Sequence, residues 1–178
     1  MKKTGQSILV LGGARSGKSA YALELARNFS RKTLIATLEP KDEEMARRIA
    51  IHQRARGPGW NLMEEPIDLS RALKRALKES QVVVIDCVTL WLSNLLLSGK
   101  KEKEIISELE KLCHLAAKST AMVVLVSNEV GQGIVPADPL TRRFRDLQGQ
   151  ANQLLARSVA EVYLLVAGIP VKIKGGKG

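Results

Sequence analysis

The 178-residue sequence contains few aromatic residues: two Trp, two Tyr and two Phe. Proteins that hold single-stranded nucleic acid stack its bases on aromatic side chains, and six scattered aromatics do not form such a platform. Cysteine is also scarce, because Cys87 and Cys113 are the only two and their spacing fits neither a metal site nor a CxxC motif. A nucleic-acid-binding module is therefore a weak alternative, and we expect no nucleic-acid partner.

Long apolar runs are missing as well. No stretch reaches the roughly 18 apolar residues that a membrane-spanning helix needs. The apolar part of the first segment, MKKTGQSILVLGG, is too short for a signal peptide and lacks a cleavage site. We expect no membrane span and a cytoplasmic location.

What the sequence does have is a net charge of +10 and a series of short apolar runs. The charge favours anionic partners such as nucleotides, although a well-solvated basic surface explains it equally well. The apolar runs lie at 7–12, 32–37, 81–87, 121–127 and 161–168, and helical patterns lie between them at 18–29, 40–56, 68–79, 101–119 and 138–157.

The runs lack the alternation of half-exposed strands, which is typical of parallel strands buried on both faces. The pattern predicts an α/β fold, a mostly parallel sheet with helices on both faces. Residues 169–174 could add an antiparallel edge strand. Since no linker interrupts the pattern, we expect one domain over residues 1–178.

A phosphate-binding motif follows the first apolar run. Residues 12–19, GGARSGKS, match G-x-x-x-x-G-K-[ST], the P-loop, between a predicted strand and a predicted helix. Its backbone N–H groups and the helix N-terminus would hold phosphate oxygens, and we expect the lysine at a solvent-facing loop. The candidate residues are Gly12, Gly13, Ala14, Arg15, Ser16, Gly17, Lys18 and Ser19.

An acidic residue, Asp86, ends the apolar run VVVID. A carboxylate in this position can hold Mg²⁺, as the Walker B acid of P-loop NTPases does, and the Ser19 hydroxyl would be a second ligand. Together the two motifs predict a P-loop NTPase-like protein that binds a nucleoside triphosphate and Mg²⁺. They do not identify the reaction.

Longer blocks point to one family. GGARSGKS, IAT at 35–37, RIAIHQRARGPGW, VIDCVTLWLSNLL, VSNEVGQGIVP, RRFRDLQGQANQ and EVYLLVAGIPVKIK occur in this order. In order and spacing they resemble the bifunctional adenosylcobinamide kinase/adenosylcobinamide-phosphate guanylyltransferase family. The resemblance implies phosphorylation of adenosylcobinamide, then transfer of GMP from GTP to the product, giving adenosylcobinamide-GDP. It implies ATP and GTP as substrates, a corrinoid acceptor and a homotrimer.

The resemblance also assigns residues. It makes His52 the residue that carries GMP covalently, while the P-loop motif itself gives Lys18 a catalytic role at the β and γ phosphates. The nucleotide contacts that it implies outside the P-loop are Ala36, Thr37, Leu38, Gln53, Arg54, Ala55, Arg56, Glu64 and Asp86. Leu38 departs from the small or polar residues that are familiar there, so only a backbone contact would survive.

The residues around His52 allow two interpretations. Met45, Ile49 and His52 share one face of the predicted helix 40–56, which directs the histidine toward the protein body. A neutral imidazole can attack phosphorus, and Arg54 and Arg56 could offset the developing charge. The same residues are explained equally well by a structural histidine at the rim of the core and two solvated arginines. The protein would then be a P-loop small-molecule kinase without guanylyltransferase activity.

Two further features have open roles. Arg142, Arg143 and Arg145 could bind phosphate or form a solvated basic face. The apolar helix at 89–97 could be an interface for the homotrimer or part of the core.

Overall fold

The computed structural model describes residues 6–38 and 59–176. These residues form seven strands and five helices. In chain order the elements are β1 (Ser7–Gly12), α1 (Lys18–Leu25), β2 (Lys32–Ala36), β3 (Trp60–Glu64), α2 (Leu69–Ala76), β4 (Val82–Asp86), α3 (Val88–Leu97), α4 (Glu102–Lys118), β5 (Met122–Asn128), α5 (Pro139–Ser158), β6 (Glu161–Val166) and β7 (Ile169–Lys174).

All seven strands belong to one sheet with the order β3-β2-β4-β5-β1-β6-β7. Every neighbouring pair is parallel except β6 and β7, which form an antiparallel hairpin. The mostly parallel sheet and the antiparallel edge strand at 169–174 are therefore confirmed. The P-loop strand β1 lies inside the sheet, between β5 and β6.

The apolar strands are buried on both faces because two separate clusters of side chains cover them. One face packs on α1, through Ala22, and on the segment after it, through Ala26. The other face packs on α2, α3, α4 and α5, and Trp91 of α3 is the largest fully buried side chain there. Burial on both faces explains why these runs lack alternation, and the prediction of helices on both faces is confirmed.

Side chains close several helix ends. The carboxylate of Asp68 accepts the N–H of Arg71 at 3.1 Å, and that of Asp138 accepts the N–H of Thr141 at 2.8 Å. At the other end of α5, the Lys174 ammonium donates to the carbonyls of Ala156, Arg157 and Val159. These bonds satisfy backbone groups that a helix end leaves unpaired.

The structure differs from the sequence prediction at one strand and decides between two interpretations of a helix. Strand β3 was not predicted, because its five residues are half-buried or exposed at the sheet edge and carry no buried apolar run. Of the two roles left open for residues 89–97, the structure supports the core: most apolar side chains of α3 are buried, Leu90 is half-buried, and Leu97 is well exposed, at 62%. This helix therefore gives no support to a trimer.

Across residues 6–38 and 59–176, no helix combines the length and the apolar character that crossing a bilayer requires.

Candidate functional site

The predicted P-loop residues follow β1 and lead directly into α1. Gly17 has φ +94°, a conformation that side-chain-bearing residues rarely adopt. At Gly12, a Cβ would come within 2.7 Å of the carbonyl oxygen of Leu165 on β6. Glycine at these positions lets the loop curl tightly against the neighbouring strand.

Lys18 is the first residue of α1, and only 7% of it is exposed. The expectation of a solvent-facing lysine was wrong, because its ammonium turns back and donates to the carbonyl of Gly13 at 2.6 Å. Burial lowers the pKa of Lys18 below 10.5, while the Coulomb effects of Cys87 and Asp86 oppose this shift. The cation thus lies within the curl of the P-loop, where phosphate oxygens are expected.

Three predicted residues form a row across the sheet. Ala36 of β2 is in register with Glu64 of β3 on one side and with Asp86 of β4 on the other. Paired residues point to the same face of a sheet, and two strand spacings separate the backbones of Glu64 and Asp86 by about 10 Å. Between them in this row stands only the methyl group of Ala36, on the face that α1 covers.

The next residue, Thr37, is fixed by hydrogen bonds within the chain. Its side chain is fully buried, and its hydroxyl donates to the Cys87 carbonyl at 2.7 Å and accepts the Cys87 N–H at 2.9 Å. The side-chain amide of Asn94 donates to the carbonyls of Thr37 and Pro66. These bonds hold the ends of β2 and β4 and the segment after β3 together, so the Thr37 hydroxyl is a structural group. Leu38, the next residue, is half-buried.

A second polar network fixes the end of β5. The N–H of Asn128 donates to the Thr89 hydroxyl at 2.7 Å, and its carbonyl accepts the Asn152 amide at 3.0 Å. Gln148 donates to Ser127 and to Asn152 within the same cluster. The next N–H, of Glu129, donates to the carbonyl of Gly12 at 2.9 Å, which connects the cluster to the P-loop. Sequence reasoning missed this network, although clustered polar residues on α5 were a signal.

Part of the predicted site lies outside the described residues. His52, Gln53, Arg54, Ala55 and Arg56 belong to this part.

The three arginines with open roles all have partners within the chain. Arg142 donates to the carbonyls of Pro136 and Ala137, Arg143 pairs with Glu102, and Arg145 pairs with Asp146. These contacts favour a structural role at the beginning of α5.

The described residues offer few ligands for a metal ion. Within 6–38 and 59–176, no group of three His, Cys, Asp or Glu side chains converges on one point. Magnesium does not need such a group, since it keeps several waters and often takes one or two protein oxygens plus phosphate oxygens. The Ser19 hydroxyl and the Asp86 carboxylate are oxygen donors of the kind that fits this ion.

Comparison with known sequences gives a consistent result. A family model described as cobinamide kinase/cobinamide phosphate guanyltransferase matches residues 8–173. The bifunctional adenosylcobalamin biosynthesis protein CobU of Escherichia coli is 42% identical, and the alignment covers 94% of this chain and 99% of that protein. The CobP protein of Pseudomonas aeruginosa, of the same description, is 40% identical over 94% and 96% of the two chains.

Solved structures show the fold alone, because their sequences are distant. A type III secretion ATPase of pathogenic bacteria superposes with a TM-score of 0.60 at 15% identity, over 95% of this chain and 57% of that one. A Pyrococcus horikoshii protein, PH0250, gives 0.59 at 10% identity, over 98% and 89%.

Proposed function

The chain belongs to the cobinamide kinase/cobinamide phosphate guanylyltransferase family, and from this we propose which of its residues perform the two reactions. Its relatives are bifunctional proteins of adenosylcobalamin biosynthesis. The protein is accordingly an adenosylcobinamide kinase and an adenosylcobinamide-phosphate guanylyltransferase of cobalamin biosynthesis. In our proposal a single domain, residues 1–178, carries both activities.

The first reaction transfers a phosphoryl group to the substrate hydroxyl. The hydroxyl oxygen bonds to the γ-phosphorus of ATP or GTP, the bond from that phosphorus to the β,γ-bridging oxygen breaks, and the hydroxyl proton is released. Residues 12–19 hold the phosphates, and Lys18 neutralises charge on the β and γ oxygens. Magnesium, held by Ser19 and Asp86, would supply further neutralisation of the phosphate charge.

The second reaction has two steps with His52 as carrier. A nitrogen of the imidazole bonds to the α-phosphorus of GTP, and pyrophosphate leaves from the same phosphorus. An oxygen of adenosylcobinamide phosphate then attacks, the nitrogen–phosphorus bond breaks, and adenosylcobinamide-GDP forms. Arg54 and Arg56 offset charge on the phosphoryl oxygens, and Gln53 and Ala55 contribute further nucleotide contacts.

One observation carries the proposal: the row Glu64–Ala36–Asp86 lies at the same edge of the sheet as the P-loop. Ligands of parallel sheets bind at the carboxyl ends of the strands. A triphosphate in the P-loop can therefore extend over the row, where Ala36 leaves space. Leu38 follows this row and would contribute its backbone.

The experiment is labelling with GTP that carries a radioactive α-phosphate. The wild-type protein should take up label that is lost in acid and retained in alkali, as expected for a phosphoramidate. His52→Ala should take up none and lose guanylyl transfer, while keeping most of its kinase activity. The matched control, His114→Ala, changes the other histidine and should behave as wild type.

Two outcomes would contradict the histidine carrier. Alkali-stable label on His52→Ala would place the nucleophile elsewhere. An unlabelled wild-type protein would support the alternative, a P-loop kinase for which His52 is structural.

The remaining proposals concern the whole protein. We propose a cytoplasmic homotrimer that binds nucleoside triphosphates and the corrinoid and binds no nucleic acid. A salt-dependent gel shift with random DNA tests the last point, because the charge of +10 would favour non-specific binding if the surface were suited to it.

A further inference from the structure

Asn128 is the last residue of β5, and its backbone is fixed from both sides. Its N–H donates to the Thr89 hydroxyl at 2.7 Å, and its carbonyl accepts the side-chain amide of Asn152 at 3.0 Å. Both partners are buried. Because buried, satisfied polar groups hold a backbone rigidly, the direction in which the Asn128 side chain leaves the strand is fixed.

The side chain of Asn128 lies on the face of the sheet that α1 covers. Side chains alternate between the two faces along a strand, and Val124 and Val126 belong to the cluster that packs on α1. The intervening Ser127 belongs to the polar network on the other face. Asn128 thus replaces the next apolar residue of the stripe, at the point where β5 reaches the edge of the sheet that carries the P-loop.

Asn128 also lies between the two strands that carry the proposed phosphate and magnesium residues, because β5 is the sheet neighbour of both β1 and β4. On one side it is in register with Gly12, the first residue of the P-loop. On the other side Asp86 is in register with Val126. Asp86 and Asn128 are therefore diagonal neighbours on one face, with backbones about 8 Å apart.

The Lys18 ammonium belongs to the same group of side chains. It donates to the Ser16 hydroxyl at 3.4 Å, and a Cβ at Gly12 would collide with that hydroxyl. Ser16 thus lies over the position that is paired with Asn128. The Lys18 ammonium, the Asp86 carboxylate and the Asn128 amide therefore lie near one another at the P-loop edge of the sheet.

The side-chain amide of Asn128 has unused hydrogen-bonding capacity. Within residues 6–38 and 59–176 it forms no hydrogen bond, whereas the side-chain amides of Asn61, Asn94 and Asn152 each donate to a group of the chain. The residue is half-buried. An amide offers two N–H donors, and phosphate oxygens are acceptors, so this side chain is suited to a phosphate group.

We propose that the side-chain amide of Asn128 donates a hydrogen bond to the γ-phosphoryl group while it is transferred. The inference rests on the proposed kinase reaction. In that step the acceptor oxygen bonds to the γ-phosphorus, the bond to the β,γ-bridging oxygen breaks, and the hydroxyl proton is released. Asn128 gives up no proton.

The contribution of Asn128 is electrostatic. A donor that is already fixed in place stabilises charge on the transferring oxygens without reorganisation in the transition state. Guanylyl transfer breaks a bond at the α-phosphorus and leaves the γ-phosphorus unchanged. Asn128 therefore accelerates one of the two reactions, although both use the same P-loop.

The first test removes the donor. Asn128→Ala keeps both clamped backbone groups and should lower kcat of the kinase reaction by about 10²-fold. The kcat of histidine labelling at saturating GTP should stay close to wild type. Asn128→Asp has nearly the same shape but brings a negative charge to the phosphate, and its loss should be at least as large.

The matched control is Asn61→Ala, the same substitution on the edge strand β3. The Asn61 amide donates to the Thr33 hydroxyl within the chain. Both rates of this variant should stay close to wild type.

A binding measurement distinguishes direct contact from a structural effect. AMP-PNP, a non-hydrolysable ATP analogue, carries a γ-phosphate, whereas ADP does not. Asn128→Ala should weaken AMP-PNP binding about tenfold, as the loss of a hydrogen bond to a charged group does. Its affinity for ADP and its thermal midpoint should equal those of wild type.

Three results would overturn the proposed contact. One is a kinase kcat and an AMP-PNP affinity of Asn128→Ala that both match wild type. Another is equal weakening of AMP-PNP and ADP, and the third is an equal fall of kcat in both reactions. The proposed function fails separately, if the wild-type protein itself lacks one of the two activities.

Discussion

At the scale of single residues, the burial of Lys18 has a cost in stability, beside the phosphate-binding role that we propose for it. Its charge is mostly buried, and its pKa is lowered by that burial. A protonated group whose pKa falls on folding destabilises the folded state, and the free energy of unfolding rises as the pH increases from the folded pKa toward 10.5. The buried charge therefore does not stabilise the fold, which is consistent with the proposed role in binding phosphates.

Lys18→Met should therefore lower kcat of both reactions by about 10²–10³-fold, as the loss of one charge-stabilising donor does. Its thermal midpoint should equal or exceed that of wild type. Lys111→Met is the control, because Lys111 lies at the surface, where it pairs with Glu108. If either activity stayed near the wild-type rate, a second nucleotide site would be required.

The two cysteines give a prediction about reactivity. Burial raises the pKa of the Cys87 thiol from 9.0 to about 12 and also raises the pKa of Cys113. Because the thiolate is the reactive form, neither should react with Ellman's reagent at pH 8 in the folded protein. Both should react in urea. The raised pKa also makes the free energy of unfolding depend on pH. The contribution of Cys87 to this free energy should be fully present below pH 9 and should decline toward pH 12, because the thiol of the unfolded chain ionises at lower pH than the folded one. A thiol that titrated rapidly in the native protein would contradict its described burial.

At the scale of elements, strand β7 stabilises the C-terminal end of α5. Lys174 places an ammonium on three carbonyls at the C-terminal end of that helix, where the helix dipole is negative. Lys174→Met keeps the aliphatic stem and should lower the free energy of unfolding by about 1 kcal/mol. Urea titration measures this loss, and high salt should reduce the difference from wild type. Lys172→Met, which removes a surface pair with Glu161, should cost less.

The elements also show what the sequence can and cannot predict. Strands buried on both faces, such as 82–86, were identified because continuous apolar residues leave no other arrangement. The exposed edge strand β3 carries no such signal. The P-loop could be predicted because its residues form one contiguous motif in the sequence. By contrast, the side-chain amide of Asn94 donates to the carbonyls of Thr37 and Pro66, which are 57 and 28 residues away in the sequence. Only the packed structure brings these groups together.

At the scale of the whole molecule, the β6–β7 hairpin has an exposed apolar face. Val166, Ile169, Val171 and Ile173 are each about half exposed or more. A second copy of the chain would bury this face in the proposed homotrimer. Light scattering should then give three times the chain mass of 19.5 kDa, and Ile169→Asp with Val171→Lys should shift the protein to monomers.

The control for this assembly is Leu97→Lys, an exposed apolar position on α3. It should remain trimeric. A wild-type mass of one chain at micromolar concentration would refute the trimer. Trimers that persist in the doubly substituted protein would move the interface away from the hairpin.

The position of β1 has a consequence for biosynthesis. This strand leaves the ribosome before both of its sheet neighbours, β5 and β6, which come from residues 122–128 and 161–166. Until those strands emerge, the nascent chain carries an unpaired apolar segment that attracts chaperones or other chains. The same delay means that an incomplete chain has no fixed P-loop, so nascent fragments cannot bind nucleotide in the way the finished protein does.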